Sequence, residues 1–195
     1  MTTTLREDII KEISENWKEQ HFDEDQRDFF IDLLLELKPK YCLETGFCTG
    51  SSSATILSSC KPDKMITIGL DADSVYGLGN DKGVAGALEE KYNFKLVSGD
   101  STQVLNDEFF EKEFGDGVDF FHVDGGHTYH VARSDMESAM SHMNEGSVMI
   151  VDDYHSLQCP LKTVDEAVDD FVKEYNLNFH SVNTESGKGM AIIRF

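Results

Sequence analysis

Short apolar segments recur along the chain, and an acidic residue or a glycine stands at or near the end of each of them. Continuous apolar runs of this length are typical of strands that are covered by helices on both faces of a sheet. The segments between them suit helices, so that strand and helix alternate, and this predicts an α/β domain with a mostly parallel sheet. The runs are YCLETG (41–46), MITIGLD (65–71), FKLVSGD (94–100), VDFFHVDG (118–125) and SVMIVDDY (147–154).

Helices are expected before and between these strands. Thr4 with Glu7, and Thr163 with Glu166, have the spacing of capping boxes, which would begin helices at residues 5 and 164. A polar loop joins two last strands, 178–183 and 189–195, and so short a connection predicts that they are antiparallel. The helices are predicted over 5–19, 24–37, 51–60, 82–92, 101–112, 130–143 and 164–175.

Length and composition favour one domain of 195 residues, with N-terminal helices over 1–38 and an α/β core over 39–195. The chain has no apolar run of 18 residues and no secretory signal at its start, and its four cysteines form no CxxC pair. We therefore expect a cytoplasmic protein with reduced thiols and no membrane contact. The net charge of −20 would repel phosphate backbones, so nucleic acid is not an expected partner.

Acidic residues and glycines stand where the predicted strands end. In open α/β sheets, ligands bind outside the carboxyl ends of the strands. All five core strands would deliver a carboxylate to this one edge, which solvation alone does not explain well. The residues concerned are Glu44, Gly46, Asp71, Asp100, Asp124, Asp152 and Asp153.

The turn after the first strand reads ETGFCTGSS (44–52) and differs from the GxGxxG of dinucleotide-binding proteins. Gly46 permits a tight turn, Gly50 permits close approach of a ligand, and the following helix offers free N–H groups. An acid two residues before the first glycine suits an amino group better than a pyrophosphate. A plain strand–helix connection is the alternative.

Two further strand ends suit a nucleoside. Asp71 has the position of an acid that binds ribose hydroxyls, and Asp100 with Ser101 could hold the edge of a base. Ordinary helix capping is the alternative for each of these acids.

The segments DGGHTY (124–129) and VDDYH (151–155) form the sharpest cluster. Neighbouring strands lie about 4.8 Å apart, so Asp124, Asp152 and Asp153 would crowd together, and a divalent cation such as Mg²⁺ would relieve their repulsion. His127 is a candidate general base and His155 a second one. His122, inside the strand, is interpreted as a buried, hydrogen-bonded histidine. Carboxylates that cap helices without a metal are the alternative.

These motifs, in this order and spacing, resemble the class I S-adenosylmethionine-dependent methyltransferases. More narrowly they resemble the small metal-dependent O-methyltransferases of macrolide and aminocoumarin sugars, and more distantly the catechol O-methyltransferases. The resemblance covers about residues 40–195. It implies a Rossmann-like sheet of seven strands in the order 3-2-1-4-5-7-6, with the seventh antiparallel. It rests on ETGFCTGSS, the acid in GLDAD, SGDS, HVDGGHTY and VMIVDDYH.

The resemblance also implies a role for each site residue. Asp71 would bind the ribose of S-adenosylmethionine, Asp100 and Ser101 its adenine, and His127 would act as the catalytic base. Residues 72–86 are rich in glycine and depart from the usual pattern. Around the methionine part of the cofactor would lie Glu44, Gly46, Gly50 and Ser52, with Asp124 adjoining, and the metal ligands would be Asp124, Asp152 and Asp153.

The predicted function is transfer of a methyl group to a hydroxyl of a small molecule, such as a sugar or a catechol-like diol. A metal-independent O- or N-methyltransferase and a non-catalytic protein that keeps the fold are the alternatives. The absence of a Tyr-x-x-x-Lys pair and the Glu44 turn disfavour a nicotinamide-dependent oxidoreductase. The sequence leaves open whether the chain forms a homodimer.

Overall fold

A computed structural model describes residues 2–17, 22–70, 81–157 and 162–195. Its seven strands form one sheet in the order β3-β2-β1-β4-β5-β7-β6, as the resemblance implied. All pairs among the first five strands are parallel, and β7 is antiparallel to both β5 and β6. The strands are β1 (Tyr41–Thr45), β2 (Lys64–Gly69), β3 (Phe94–Ser98), β4 (Val118–Val123), β5 (Met143–Asp152), β6 (Asn178–Asn183) and β7 (Gly189–Arg194).

Helices cover both faces of the sheet, which explains why the central strands are apolar along their whole length. On one face Phe30 and Leu57 pack with Phe120, and on the other Phe110 and Phe171 belong to a second core. The helices are α1 (Thr2–Asn16), α2 (Glu24–Leu37), α3 (Ser51–Cys60), α4 (Lys82–Lys91), α5 (Ser101–Val104), α6 (Asp107–Glu113), α7 (Tyr129–Met140) and α8 (Thr163–Glu174).

Both predicted capping boxes are wrong. Helix α1 begins at Thr2, so Thr4 lies inside it, and helix α8 has Lys162 at its N-cap with no side-chain cap. In the described part of the chain, a capping box joins Asp23 and Gln26 at the start of α2. Ser/Thr-x-x-Glu spacing is too common to locate a helix start unless the preceding backbone is extended.

Other boundaries also differ from the prediction. The helix expected over 101–112 is two helices, because the chain leaves the helical path at Leu105 and the Asn106 side chain caps α6. Strand β5 begins at Met143 rather than residue 147, and its pairing with β4 shifts register between Val118 and Phe120. None of the helices in the described part of the chain is both long and apolar enough to cross a membrane.

Candidate functional site

The carboxyl ends of β1, β4 and β5 lie side by side at one edge of the sheet. The register pairs Thr45 with Val123 and Val123 with Val151, so the residues that follow these positions come out level. The backbone N–H of Asp124 donates to the carbonyl of Thr45 at 2.9 Å. The structure therefore brings the turn after β1, Asp124 and the Asp152–Asp153 pair to a common rim.

Glycines shape the turn after β1. Gly46 has φ +92°, and a Cβ there would overlap the carbonyl oxygen of Asp124. Gly50 has φ +76° and forms the N-cap of α3 without a side-chain cap. A Cβ at Gly50 would overlap the ring of Phe47 and a methyl group of Val84. The turn thus packs backbone against backbone and presents the uncapped N-terminus of α3, which suits a carboxylate. Ser52 is buried in the first turn of that helix.

Glu44 lies beneath the rim rather than open to it. It is fully buried, and its Oε2 accepts hydrogen bonds from the hydroxyls of Ser53 and Thr67, the latter at 2.8 Å. Its Oε1 lies 3.0 Å from Nδ1 of His122. Both carboxylate oxygens are therefore occupied by internal partners, which tie β1 to α3, β2 and β4.

His122 is buried, as predicted, and points toward two of the rim carboxylates. Its ring packs edge-on against Phe30 at a centroid distance of 4.9 Å. Its Nε2 has no hydrogen-bond partner among the residues that the structure describes. Nitrogen and oxygen atoms of His122, Asp124 and Asp152 lie within 4.8 Å of one another. Burial lowers the pKa of His122, but the hydrogen bond to Glu44 and the nearby carboxylates outweigh burial and raise it.

Asp152 is buried and is held by the N-terminal part of the chain. Nε2 of Gln26, on α2, donates to its Oδ1 at 2.8 Å. Burial and the negative charge of Asp124 raise the pKa of Asp152 to about 7. A carboxylate in this position repels its neighbour, and any added cation would relieve that repulsion.

Asp153 turns away from this group toward His127. It has φ +62°, and its Oδ2 lies 2.8 Å from Nδ1 of His127, whose Nε2 lies 3.7 Å from Oδ1 of Asp124. These two carboxylates raise the pKa of His127 to about 11, although 54% of the side chain is exposed. In this arrangement His127 carries a proton, so the predicted role as general base requires that the proton be given up first.

A further contact of His127 comes from the start of α8. The hydroxyl of Thr163 donates to the carbonyl of His127 at 2.6 Å, which ties the loop after β4 to the start of α8. The second candidate base, His155, stacks on Tyr154 at 4.1 Å, and its backbone N–H donates to Asp165.

The predicted nucleoside-binding residues are only partly described. Asp71 lies outside the described residues. Asp100 is the N-cap of α5, where its Oδ1 accepts from the backbone N–H and the hydroxyl of Thr102, and Ser101 is buried beside it. Asp100 therefore caps a helix, which was the alternative to a role in binding the base. The contact of Asp100 and Ser101 with adenine stays a prediction.

Sequence reasoning missed two residues of the site, His122 as a neighbour of the carboxylates and Gln26. The sequence contained a signal for His122, because residues two apart in a strand share a face and His122 stands two residues before Asp124. Gln26 carried none, because its contact with Asp152 spans 126 residues of sequence.

Comparison with known proteins gives a family and a shared fold. The profile of a methyltransferase domain family matches residues 43–154. No curated protein matches the chain.

Solved structures resemble the chain over nearly its whole length. An O-methyltransferase from Bacillus cereus in complex with SAH is 14% identical, with a TM-score of 0.70 over 98% of this chain and 91% of that one. TomG from Streptomyces achromogenes, an O-methyltransferase of tomaymycin synthesis in complex with SAM, is 15% identical, with a TM-score of 0.68 over 96% and 95%. CalS11, a TDP-rhamnose 3'-O-methyltransferase of calicheamicin biosynthesis, is 12% identical, with a TM-score of 0.67 over 99% and 94%. At these identities the similarity shows the fold.

Proposed function

The chain belongs to the methyltransferase domain family, and from this premise we propose that it transfers a methyl group from S-adenosylmethionine to a hydroxyl of a small molecule, assisted by a divalent cation. The observation that carries the proposal is the contact of the Gly46 turn with Asp124. It sets the turn expected to bind the cofactor directly beside the carboxylates expected to serve the acceptor.

The cofactor is proposed to lie against the turn between Gly46 and Gly50. The methionine carboxylate suits the uncapped N-terminus of α3, where Ser52 lies. Glu44 supports this turn from below through Ser53 and does not itself face the ligand. Two structures with the same fold contain SAH or SAM, which supports the choice of cofactor. Asp71 is proposed for the ribose, and Asp100 with Ser101 for the adenine.

The acceptor is proposed to lie beyond Asp124. Asp124 and Asp152 would hold the cation, with Asp153 as the third carboxylate by resemblance. When bound, such an ion lowers the pKa of a hydroxyl that it contacts. The bound S-adenosylmethionine would supply the methyl group to the acceptor oxygen, with the electrons of the broken bond left on its sulfur, and His127 in its neutral form would take the hydroxyl proton.

A sugar or a catechol-like diol is the proposed class of acceptor, because two adjacent oxygens bind one cation well. CalS11, which shares the fold, is named for a sugar nucleotide. The strong negative charge of the chain disfavours nucleic acid. A homodimer is proposed as the assembly that completes the acceptor site.

The test pairs cofactor binding with methyl transfer. Calorimetry should show that S-adenosylmethionine binds, and mass spectrometry should detect one added methyl group on a diol from a panel of catechols and sugar nucleotides. Asp153→Ala should abolish transfer while cofactor affinity stays nearly unchanged. Asp116→Ala is the matched control, because it removes a carboxylate just before the amino-terminal end of β4, at the opposite end of the strands from the rim. If the purified chain binds no S-adenosylmethionine, the proposal is wrong.

A metal-independent transferase is the second candidate, and one observation favours it. His127 already lies between Asp124 and Asp153, so an imidazolium compensates part of the negative charge. Transfer that persists in excess chelator would support this candidate, whereas transfer that stops and returns with added cation would exclude it.

A further inference from the structure

The geometry of two parallel strands aims one buried nitrogen at two carboxylates. Residues two apart in a strand project to the same face, so His122 and Asp124 share a face of β4. The register pairs His122 with Ile150 on β5, and Asp152 therefore follows on that same face. Side-chain atoms of His122, Asp124 and Asp152 consequently lie within 4.8 Å of one another.

Glu44 fixes which nitrogen of His122 is left for a ligand. Its Oε1 accepts the proton on Nδ1 at 3.0 Å, so the lone pair of a neutral ring lies on Nε2. Histidines that bind metals are commonly oriented by a carboxylate on their other nitrogen. Nε2 is buried and has no partner in the described part of the chain, and such an atom is costly to leave unpaired.

Asp152 and Asp153 differ in the partners that their carboxylate oxygens already have. Asp152 uses Oδ1 to accept from Gln26, which leaves Oδ2 for another partner. Asp153 is held by Nδ1 of His127 at 2.8 Å and by the side chain of Ser156, and it does not belong to the group whose ligand atoms lie within 4.8 Å of one another. The residue that completes the set with Asp124 and Asp152 is therefore a histidine rather than a third acid.

We propose that Nε2 of His122 and the carboxylates of Asp124 and Asp152 bind the divalent cation, and that this mixed set prefers a first-row metal ion such as Zn²⁺ or Fe²⁺ to Mg²⁺. The choice of ion rests on the proposed function, which brings a cation to this rim. Imidazole nitrogen is a good ligand for transition metals, whereas Mg²⁺ favours oxygen ligands throughout. Asp153 is then a positioning residue for His127.

Electron paramagnetic resonance of Mn²⁺, added to the chain as a paramagnetic probe of the site, tests the nitrogen ligand without any activity assay. We expect coupling of the manganese to ¹⁴N that shifts to ¹⁵N when the protein is made with ¹⁵N-histidine. His127→Gln should keep this coupling, because His127 pairs with Asp153 and lies outside the proposed set. Coupling that disappears in His127→Gln, or manganese bound without nitrogen coupling, would overturn the proposal.

Affinity measurements test the choice of ion and of ligands. In the wild type, calorimetry should show Zn²⁺ binding at least about tenfold more tightly than Mg²⁺. His122→Gln should remove most of this preference, whereas Asp153→Asn should keep it. His142→Gln, which changes a histidine away from the rim that pairs with Asp107, is the matched control. Equal affinities in the wild type, or a preference lost in Asp153→Asn and kept in His122→Gln, would refute the assignment.

The two sets of results separate this inference from the proposed function. If His122→Gln fails to fold, electron paramagnetic resonance of the wild type and of His127→Gln still tests whether a histidine nitrogen binds the metal. Manganese bound through a histidine nitrogen by a chain that transfers no methyl group would contradict only the proposed function. Methyl transfer by a chain that binds no cation would contradict only the cation site.

Discussion

Two histidines adjoin the same carboxylate, Asp124, in opposite surroundings. His122 is buried, held by Glu44 and packed against Phe30. His127 is half exposed and pairs with Asp153 at the rim. Burial fixes the orientation of the first ring and makes the loss of any partner costly, whereas water competes for every partner of the second. The interior histidine therefore sets geometry, and the rim histidine is the one able to exchange protons with a ligand.

The two histidines also differ in the contacts that connect them to the fold. His122 is tied into the sheet by hydrogen bonds that Glu44 also makes to α3 and β2. His127 is held by its ion pair with Asp153 and by the hydrogen bond that its backbone carbonyl accepts from Thr163 at the start of α8. The first environment rests on secondary structure, and the second rests on two loops.

Removal of each ring in turn should give the largest contrast. We expect His122→Ala to lower the free energy of unfolding by about 3–5 kcal/mol, because it leaves a cavity beside Phe30 and the Glu44 carboxylate without its partner. His127→Ala should cost about 1 kcal/mol or less, since its ion pair is exposed to water. Urea denaturation followed by circular dichroism measures both. Equal losses would show that the two environments do not differ as described.

A buried carboxylate on the other side of the sheet provides a third environment beside those of the two histidines. Asp135, on α7, lies near Gly125 and is buried. Burial raises the pKa of Asp135 to about 6, although the hydroxyls of Ser101 and Thr45 oppose the shift. No imidazole shares this site among the described residues that perturb its pKa, so ionisation is expected to cost stability here.

The sign of the pH dependence follows from that shift. Because the folded chain holds the Asp135 proton more tightly than the unfolded chain, the wild type loses stability from this group as pH rises from about 4 through 6. The loss amounts to about 3 kcal/mol above pH 7. Asp135→Asn should remove the loss and raise the melting temperature at pH 7 while leaving it similar at pH 4. Asp107→Asn, an exposed matched change, should alter neither.

Much of the fold followed from the sequence because it depends on local patterns. Apolar runs marked the five core strands, and the resemblance supplied their order. The helix starts at Thr4 and Thr163 failed, because a motif of two residues does not show whether the backbone before it is extended. The break at Leu105 was missed because the apolar residues on either side continue the same helical face.

The candidate site was predictable only where strand ends define it. Asp124 and Asp152 came together as expected, since neighbouring parallel strands end level. The rotation of Asp153 toward His127 depends on a left-handed backbone angle at Asp153, which composition does not reveal. The internal bonds of Glu44 depend on packing across three strands and a helix, so the sequence suggested an open carboxylate instead.

The smallest contrast concerns one hydrogen bond at each histidine site. Gln26→Leu removes the donor to Asp152 and leaves a buried oxygen unpaired, so we expect a loss of about 1–3 kcal/mol in the free energy of unfolding. Thr163→Val keeps the shape of the side chain and removes the bond to the His127 carbonyl, where water can replace the donor, so about 0.5–1 kcal/mol is expected. Both are measured by urea denaturation. Gln26 also accepts a weak capping bond at 3.4 Å from the backbone N–H of Asp23, and the loss of this bond adds to the effect of Gln26→Leu. A loss in Thr163→Val as large as that in Gln26→Leu would mean that the rim loop is as firmly built as the interior, and that His127 is not the freer of the two rings.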